Sequence, residues 1–148
     1  RNPEAGPTYT IVKLFVDPNI LLYAYDSGAG IKHEKAREQL ETLGRERSGA
    51  LSTQVLQEFY VNVRRKARNP VSAEQSRGLV GDYLAWNPIV KDGALLLSAL
   101  ECETRYQVSF WDAMILAAAH RSGASILLSE DFNDGQQYGT VQALNPFI

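Results

Sequence analysis

The chain has 148 residues, a formal net charge of −2, 45% hydrophobic and 22% charged residues. That is one domain's length with ordinary globular composition, enough to bury a sizeable core, and its mildly acidic balance argues against a tight non-specific nucleic-acid binder. The single cysteine, Cys102, excludes an internal disulfide and fits a reducing, cytoplasmic setting; no apolar run approaches the ~20 residues of a membrane span.

Residues 1–10, RNPEAGPTYT, are polar and rich in Pro and Gly, without the apolar region of a signal peptide. They read as a flexible leader or expression remnant, leaving 11–148 as the domain. Ile11 to Val16 is a nearly all-apolar run, as in a strand buried on both faces. It stops on Asp17, and Pro18 follows at a position suited to the first turn of a helix. The pattern predicts a helix over Asn19 to Asp26, broken by Ser27-Gly28-Ala29-Gly30, then an amphipathic helix over Lys32 to Leu43 with Gly44 as its C-cap. Ala50 to Ser52 reads as a short strand. Thr53 is placed to cap a helix from Gln54 to about Arg68, ended by Asn69-Pro70. Helices follow over Ser72 to Leu84, from Asp92 to about Tyr106, and over Phe110 to about Arg121, with Ser109 and Gly123 closing the last. Further strands are expected in Asn87 to Val90, Ser125 to Leu128 and Thr140 to Leu144. Strands alternating with helices predict an α/β fold with a mostly parallel central sheet and helices on both faces.

Acids recur at element boundaries: Asp17 after the first strand, Glu58 early in a helix, Asp112 in a first turn, Glu130 and Asp131 after a late strand. In such a sheet, strand ends and following helix starts share one edge, so these acids can converge. Taken singly, Asp112 is a first-turn acid favoured by the helix dipole, Glu58 a solvated helix residue, and Glu130, Asp131 and Asp134 turn residues. Asp17 resists that explanation, because an acid closing an apolar strand needs partners or a cation. Clustered carboxylates without His or Cys suit Mg²⁺ or Mn²⁺ rather than Zn²⁺. His120 near a helix end has a dipole or capping role. No GxSxG or Gly-rich phosphate loop is present.

Four segments together carry a resemblance. Phe15 to Ala24 (FVDPNILLYA), Leu51 to Phe59 (LSTQVLQEF), Ser109 to Ile115 (SFWDAMI) and Leu127 to Phe132 (LLSEDF) resemble, in order, the motifs of PIN domains. The VapC-type toxin ribonucleases of bacterial toxin–antitoxin pairs are the nearest subgroup. The resemblance implies a three-layer α/β/α sandwich and a Mg²⁺- or Mn²⁺-dependent endoribonuclease leaving a 5′-phosphate and a 3′-hydroxyl. By position, the catalytic metal-site acids would be Asp17, Glu58, Asp112 and Asp131. Asn19 and Ser129 would support them, and Glu130 would compete with Asp131. Pro18 departs from the Thr or Ser usual there. An RNA substrate, a cognate antitoxin and a homodimer are the implied partners, with no membrane association.

Arg64-Arg65-Lys66-Ala67-Arg68 is the densest basic cluster, and Arg64, Arg65 and Lys66 are candidate RNA-phosphate contacts. A solvated helix end explains them equally well. Trp86, Trp111 and the tyrosines are expected in the core or an interface rather than as stacking platforms. A catalytically inactive PIN-fold module predicts a missing acid, and none is missing. A phosphoryl-accepting receiver domain needs a late Lys where Ser129-Glu130-Asp131 stands.

Overall fold

The structure, a computed structural model, describes residues 12–148, so the leader assigned to residues 1–10 lies outside the described residues. Strand β1 spans Leu14–Val16, shorter than the apolar run that announces it. It is followed by α1 (Pro18–Tyr25), a 3-10 turn at Ser27–Ala29, α2 (Ile31–Glu46), β2 (Gly49–Ala50) and α3 (Thr53–Arg65). Then come α4 (Ala73–Leu84), α5 (Gly93–Tyr106), α6 (Phe110–Ser122), β3 (Ile126–Leu128), β4 (Gln137–Tyr138) and β5 (Val141–Leu144).

The sheet order is β2-β1-β3-β5-β4, parallel throughout except for the β4–β5 hairpin. The three-layer α/β/α reading holds. Helices α1 to α4 pack in sequence-neighbouring groups, while α5 and α6 form a second packed pair. Phe15, Val16, Leu127, Val141 and Ala143 of the sheet are fully buried between them. The middle of α6 is internal, with every residue from Ala113 to Ala119 buried. Among the described residues, no helix is long and apolar enough to cross a membrane.

Several boundaries differ from expectation, each for an identifiable reason. Gly44 does not end α2. The helix runs on to Glu46, and Arg47 takes the left-handed cap at φ 54°. Gly44 instead faces Trp86, whose ring also lies over Gly49 so closely that a Cβ there would stand 2.2 Å from Cζ3. Ser52, not Thr53, caps α3, accepting from the Val55 N–H at 3.2 Å. Helix α3 stops at Arg65 because Asp26 draws the following chain away: its carboxylate accepts from the N–H groups of Arg68 and Asn69, both at 2.9 Å. The expected strand at Asn87 to Val90 forms only a bridge, Ile89 to Ser52. Pro88 has no N–H to donate, and Asn87 is left-handed at φ 54°. Strand β4 has no counterpart in the sequence pattern; it turns back on β5 through Gly139, which has φ 65°.

Candidate functional site

Strand β1 delivers Asp17 to the carboxyl edge of the sheet. Its N–H continues the ladder by donating to Leu128 O at 3.1 Å, and its side chain then caps α1 by accepting from the Asn19 N–H at 3.0 Å. Pro18 is the first residue of α1, where no N–H is needed. The neighbouring strand β3 ends at Leu128, which puts Ser129 beside Asp17. The Ser129 hydroxyl donates to Asp17 Oδ2 at 3.0 Å and accepts from the Asp131 N–H, also at 3.0 Å. Asn19 completes the link by donating Nδ2 to Asp131 Oδ2 at 3.1 Å.

Helices α3 and α6 bring the remaining acids. Ser52 starts α3 so that Glu58 faces the same edge, and Ser109 caps α6 by accepting from the Asp112 N–H at 3.1 Å. Asp17, Glu58, Asp112 and Asp131 line one cavity of about 140 Å³, together with Asn19, Gln54, Asn62 and Trp111. The four sequence-predicted acids thus meet at one place.

Their electrostatics are those of carboxylates that are partly buried and repel one another. Asp17 is only 4% exposed. Burial pushes its carboxyl up to about 7, helped by the charges of Asp131 and Asp112 and opposed by the hydrogen bonds from Asn19 and Ser129. Burial and Asp112 raise Glu58, with Gln54 and Lys66 opposing. Burial raises Asp112, with Asp131 adding to it and the contact to Ser109 opposing. Among the described residues no Lys, Arg or His forms an ion pair with any of the four.

Glu130 is turned away. It accepts from the Tyr23 hydroxyl and pairs with Lys32 Nζ at 2.7 Å. Burial acts to raise its carboxyl, but Lys32 and Tyr23 outweigh it and hold the group below its usual range. Of the two adjacent acids, Asp131 faces the cavity and Glu130 does not. The basic cluster is split. Arg64 folds back on Tyr60, donating to its hydroxyl at 3.0 Å. Arg65 and Lys66 are exposed, and Lys66 is near enough to act on Glu58.

Three cavity residues escape a reading of the sequence. Gln54 and Asn62 flank Glu58 at four-residue spacing, a polar stripe along α3 that is the signal for them. Gln54 is buried, and its Nε2 has no hydrogen-bond partner among the described residues. Its amide stands close enough to Glu58 to lower that acid's pKa without a bond of good geometry. Trp111, expected in the core or an interface, is 59% exposed at the cavity rim; Trp86 is half-buried against the core. His120 donates Nε2–H to the Tyr138 carbonyl at the β-hairpin at 2.7 Å, rather than capping its helix.

The donor set is oxygen-only and anionic, the chemistry of a site for a hard divalent cation. As placed, no three acidic, His or Cys side chains among the described residues converge on one ion position. The fit therefore lies in donor type, charge and shared cavity.

The family model of the PIN domain matches residues 14–134. No curated protein matches the sequence. Among solved structures the chain is similar to VapC20 of Mycobacterium tuberculosis, a sarcin–ricin loop cleaving toxin. The TM-score is 0.59 and the identity 19%, over 80% of this chain and 90% of that one. That likeness concerns the fold, whereas the family match spans most of the sequence and includes all four acids. The chain belongs to the PIN domain family.

Proposed function

We propose that this protein is a metal-dependent endoribonuclease, the toxin of a toxin–antitoxin pair, with its domain spanning residues 11–148. The observation that carries the reading is Asp17, a carboxyl buried among three further acids, none of them ion-paired among the described residues. Family membership supports phosphodiester chemistry, and the RNA-loop cleavage of the VapC20 neighbour supports RNA as the polymer.

Mg²⁺ or Mn²⁺ would be held by Asp17, Glu58, Asp112 and Asp131. When bound, such an ion supplies Lewis acidity and a water acidic enough to attack phosphorus near neutral pH. The chain's own part is orientation. Ser129 and the Asn19 N–H fix both oxygens of Asp17. The Asn19 amide fixes Asp131, and Ser109 fixes the turn that presents Asp112. Lys66, the C-cap of α3, is near enough to act on Glu58, and with the exposed Arg65 next to it would attract the flanking phosphates, an effect weakened by salt. Arg64 is the weakest candidate of the three, being committed to Tyr60.

Such a toxin works in the cytoplasm beside its antitoxin, whose cationic side chain would neutralise these carboxylates, and it would act as a homodimer. The test is product analysis on synthetic RNA. Metal-dependent cleavage leaving 5′-phosphate and 3′-hydroxyl ends supports the reading. Ends carrying a 2′,3′-cyclic phosphate would overturn it, because that product needs no metal-held water.

A further inference from the structure

Helix α6 buries every residue from Ala113 to Ala119, yet it opens on an indole that is 59% in solvent. Trp111 is absent from the core, although its neighbour Phe110 packs against it and the buried run of α6 follows from Ala113. Phe110 packs against the indole edge-on, with centroids 5.1 Å apart and planes at 75°. The ring also lines the acid cavity and adjoins Asp112 in sequence. The exposed Arg65 and Lys66 lie at the end of α3, the helix that also brings Glu58 and Asn62 to the cavity, and Lys66 is near enough to act on Glu58. The site therefore combines carboxylates with cations at the end of one of its helices and a solvent-facing aromatic at the start of another.

A polyanion crossing such a site lays phosphates toward the cations and needs a flat apolar group for the indole. A nucleobase is that group, since every base has a π-face and stacking on an aromatic side chain tolerates any sequence. A base within a duplex keeps its faces against its neighbours and is not available.

We propose that Trp111 is the stacking platform for an unpaired base next to the cleaved phosphate, which restricts the substrate to RNA that is single-stranded at that point. The proposal rests on the nuclease reading above for its substrate.

The experiment uses the Asp17→Asn protein, to hold RNA without cleaving it, in Mg²⁺. Tryptophan fluorescence is followed while a short mixed-sequence single-stranded RNA, or the same strand in a duplex, is added. The single strand quenches and the duplex does not. Trp111→Phe in that background abolishes the quenching, since the remaining Trp86 packs on Tyr83 and Gly49. Trp111→Ala weakens single-strand binding roughly tenfold, and Trp111→Tyr keeps most of it. In the otherwise wild-type enzyme, Trp111→Ala raises KM more than it lowers kcat.

Equal quenching by duplex, or unchanged affinity in Trp111→Ala, overturns the proposal. So does a change of sedimentation coefficient in Trp111→Ala with RNA affinity intact, which would make Trp111 a protein-interface residue. Failure of the nuclease reading looks different: wild-type protein cleaves no RNA, whatever the fluorescence shows.

Discussion

Ser129 joins two acids that lie on either side of it in space but 112 and two residues away in sequence. Its hydroxyl donates to Asp17 Oδ2 and accepts from the Asp131 N–H, each at 3.0 Å. The residue is fully buried, so no water replaces the hydroxyl if it is lost. Ser129→Ala therefore removes a donor from a buried carboxyl and an acceptor from a backbone N–H. The expected cost is about 1–3 kcal/mol in urea unfolding. Cleavage should fall about tenfold or more, as when groups that orient metal ligands are removed. Unchanged unfolding and cleavage together would show that the bridge has no energetic role.

Asp17 sets the pH dependence of the ion-free protein. Its folded carboxyl keeps its proton up to about 7, while the unfolded chain releases it near the ordinary value of 3.8. The folded state thus holds more protons between those values, and stability falls as pH rises. Asp26, Asp92 and Glu130 are shifted downward, so their contributions are already complete by pH 5. Between pH 5 and 8, Asp17 should cost about 2–3 kcal/mol. Glu58 and Asp112, shifted in the same direction, extend the trend. Thermal unfolding in EDTA checks this: wild type loses stability from pH 5 to 8, and Asp17→Asn largely does not. A wild-type protein that gains stability over that range would refute the assignment.

A divalent ion reverses the sign. It binds the ionised carboxylates of the folded chain and adds about 2.7 kcal/mol when present at a hundred times its Kd. Mg²⁺ or Mn²⁺ should raise Tm at pH 8 and much less at pH 5, and Asp17→Asn should lose most of the effect. An equal rise at both pH values would mean binding elsewhere.

Glu130 and Asp131 should separate cleanly. Glu130 is paired with Lys32 and Tyr23 away from the cavity, and the Lys32 side chain is 40% exposed. Glu130→Gln should cost at most about 1 kcal/mol and leave cleavage within a few-fold of wild type. Asp131→Asn should remove it. The reverse pattern in a cleavage assay would exchange their roles.

Gln54 has a buried amide nitrogen with no partner among the described residues. Gln54→Leu removes that unsatisfied donor at similar volume, so urea unfolding should show stability unchanged or raised by about 1 kcal/mol. Cleavage should fall, because Glu58 loses its polar neighbour. A marked loss of stability would indicate that the amide is satisfied in solution.

What the sequence reveals and what it hides follow from the range of the interactions. Local signals are legible: Pro18 after Asp17, Ser109 before Asp112, Gly123 after α6, and apolar runs ending on polar residues. They locate all four acids on strand ends and helix starts, and a parallel sheet brings those to one edge. Hidden are features decided by a distant partner. Gly49 can carry no side chain because Trp86, nearly forty residues on, lies over it. Helix α3 stops early because Asp26, some forty residues back, takes the N–H groups of Arg68 and Asn69. Glu130 and Asp131 are adjacent and chemically alike, and only Tyr23 and Lys32 pull the first away. Trp111 is an aromatic at the head of an apolar helix, and its exposure follows from its place in the first turn of α6, ahead of the buried run from Ala113.

If the four-acid cluster cleaves RNA with a metal's help, the most direct measurement is incubation of purified protein with total RNA in Mg²⁺, Mn²⁺ or EDTA, with Asp17→Asn alongside. Discrete products that require the ion and disappear in the variant are the predicted result. No cleavage by wild-type protein in either metal, with RNA binding that persists in EDTA, would contradict it and make this PIN domain a binding module.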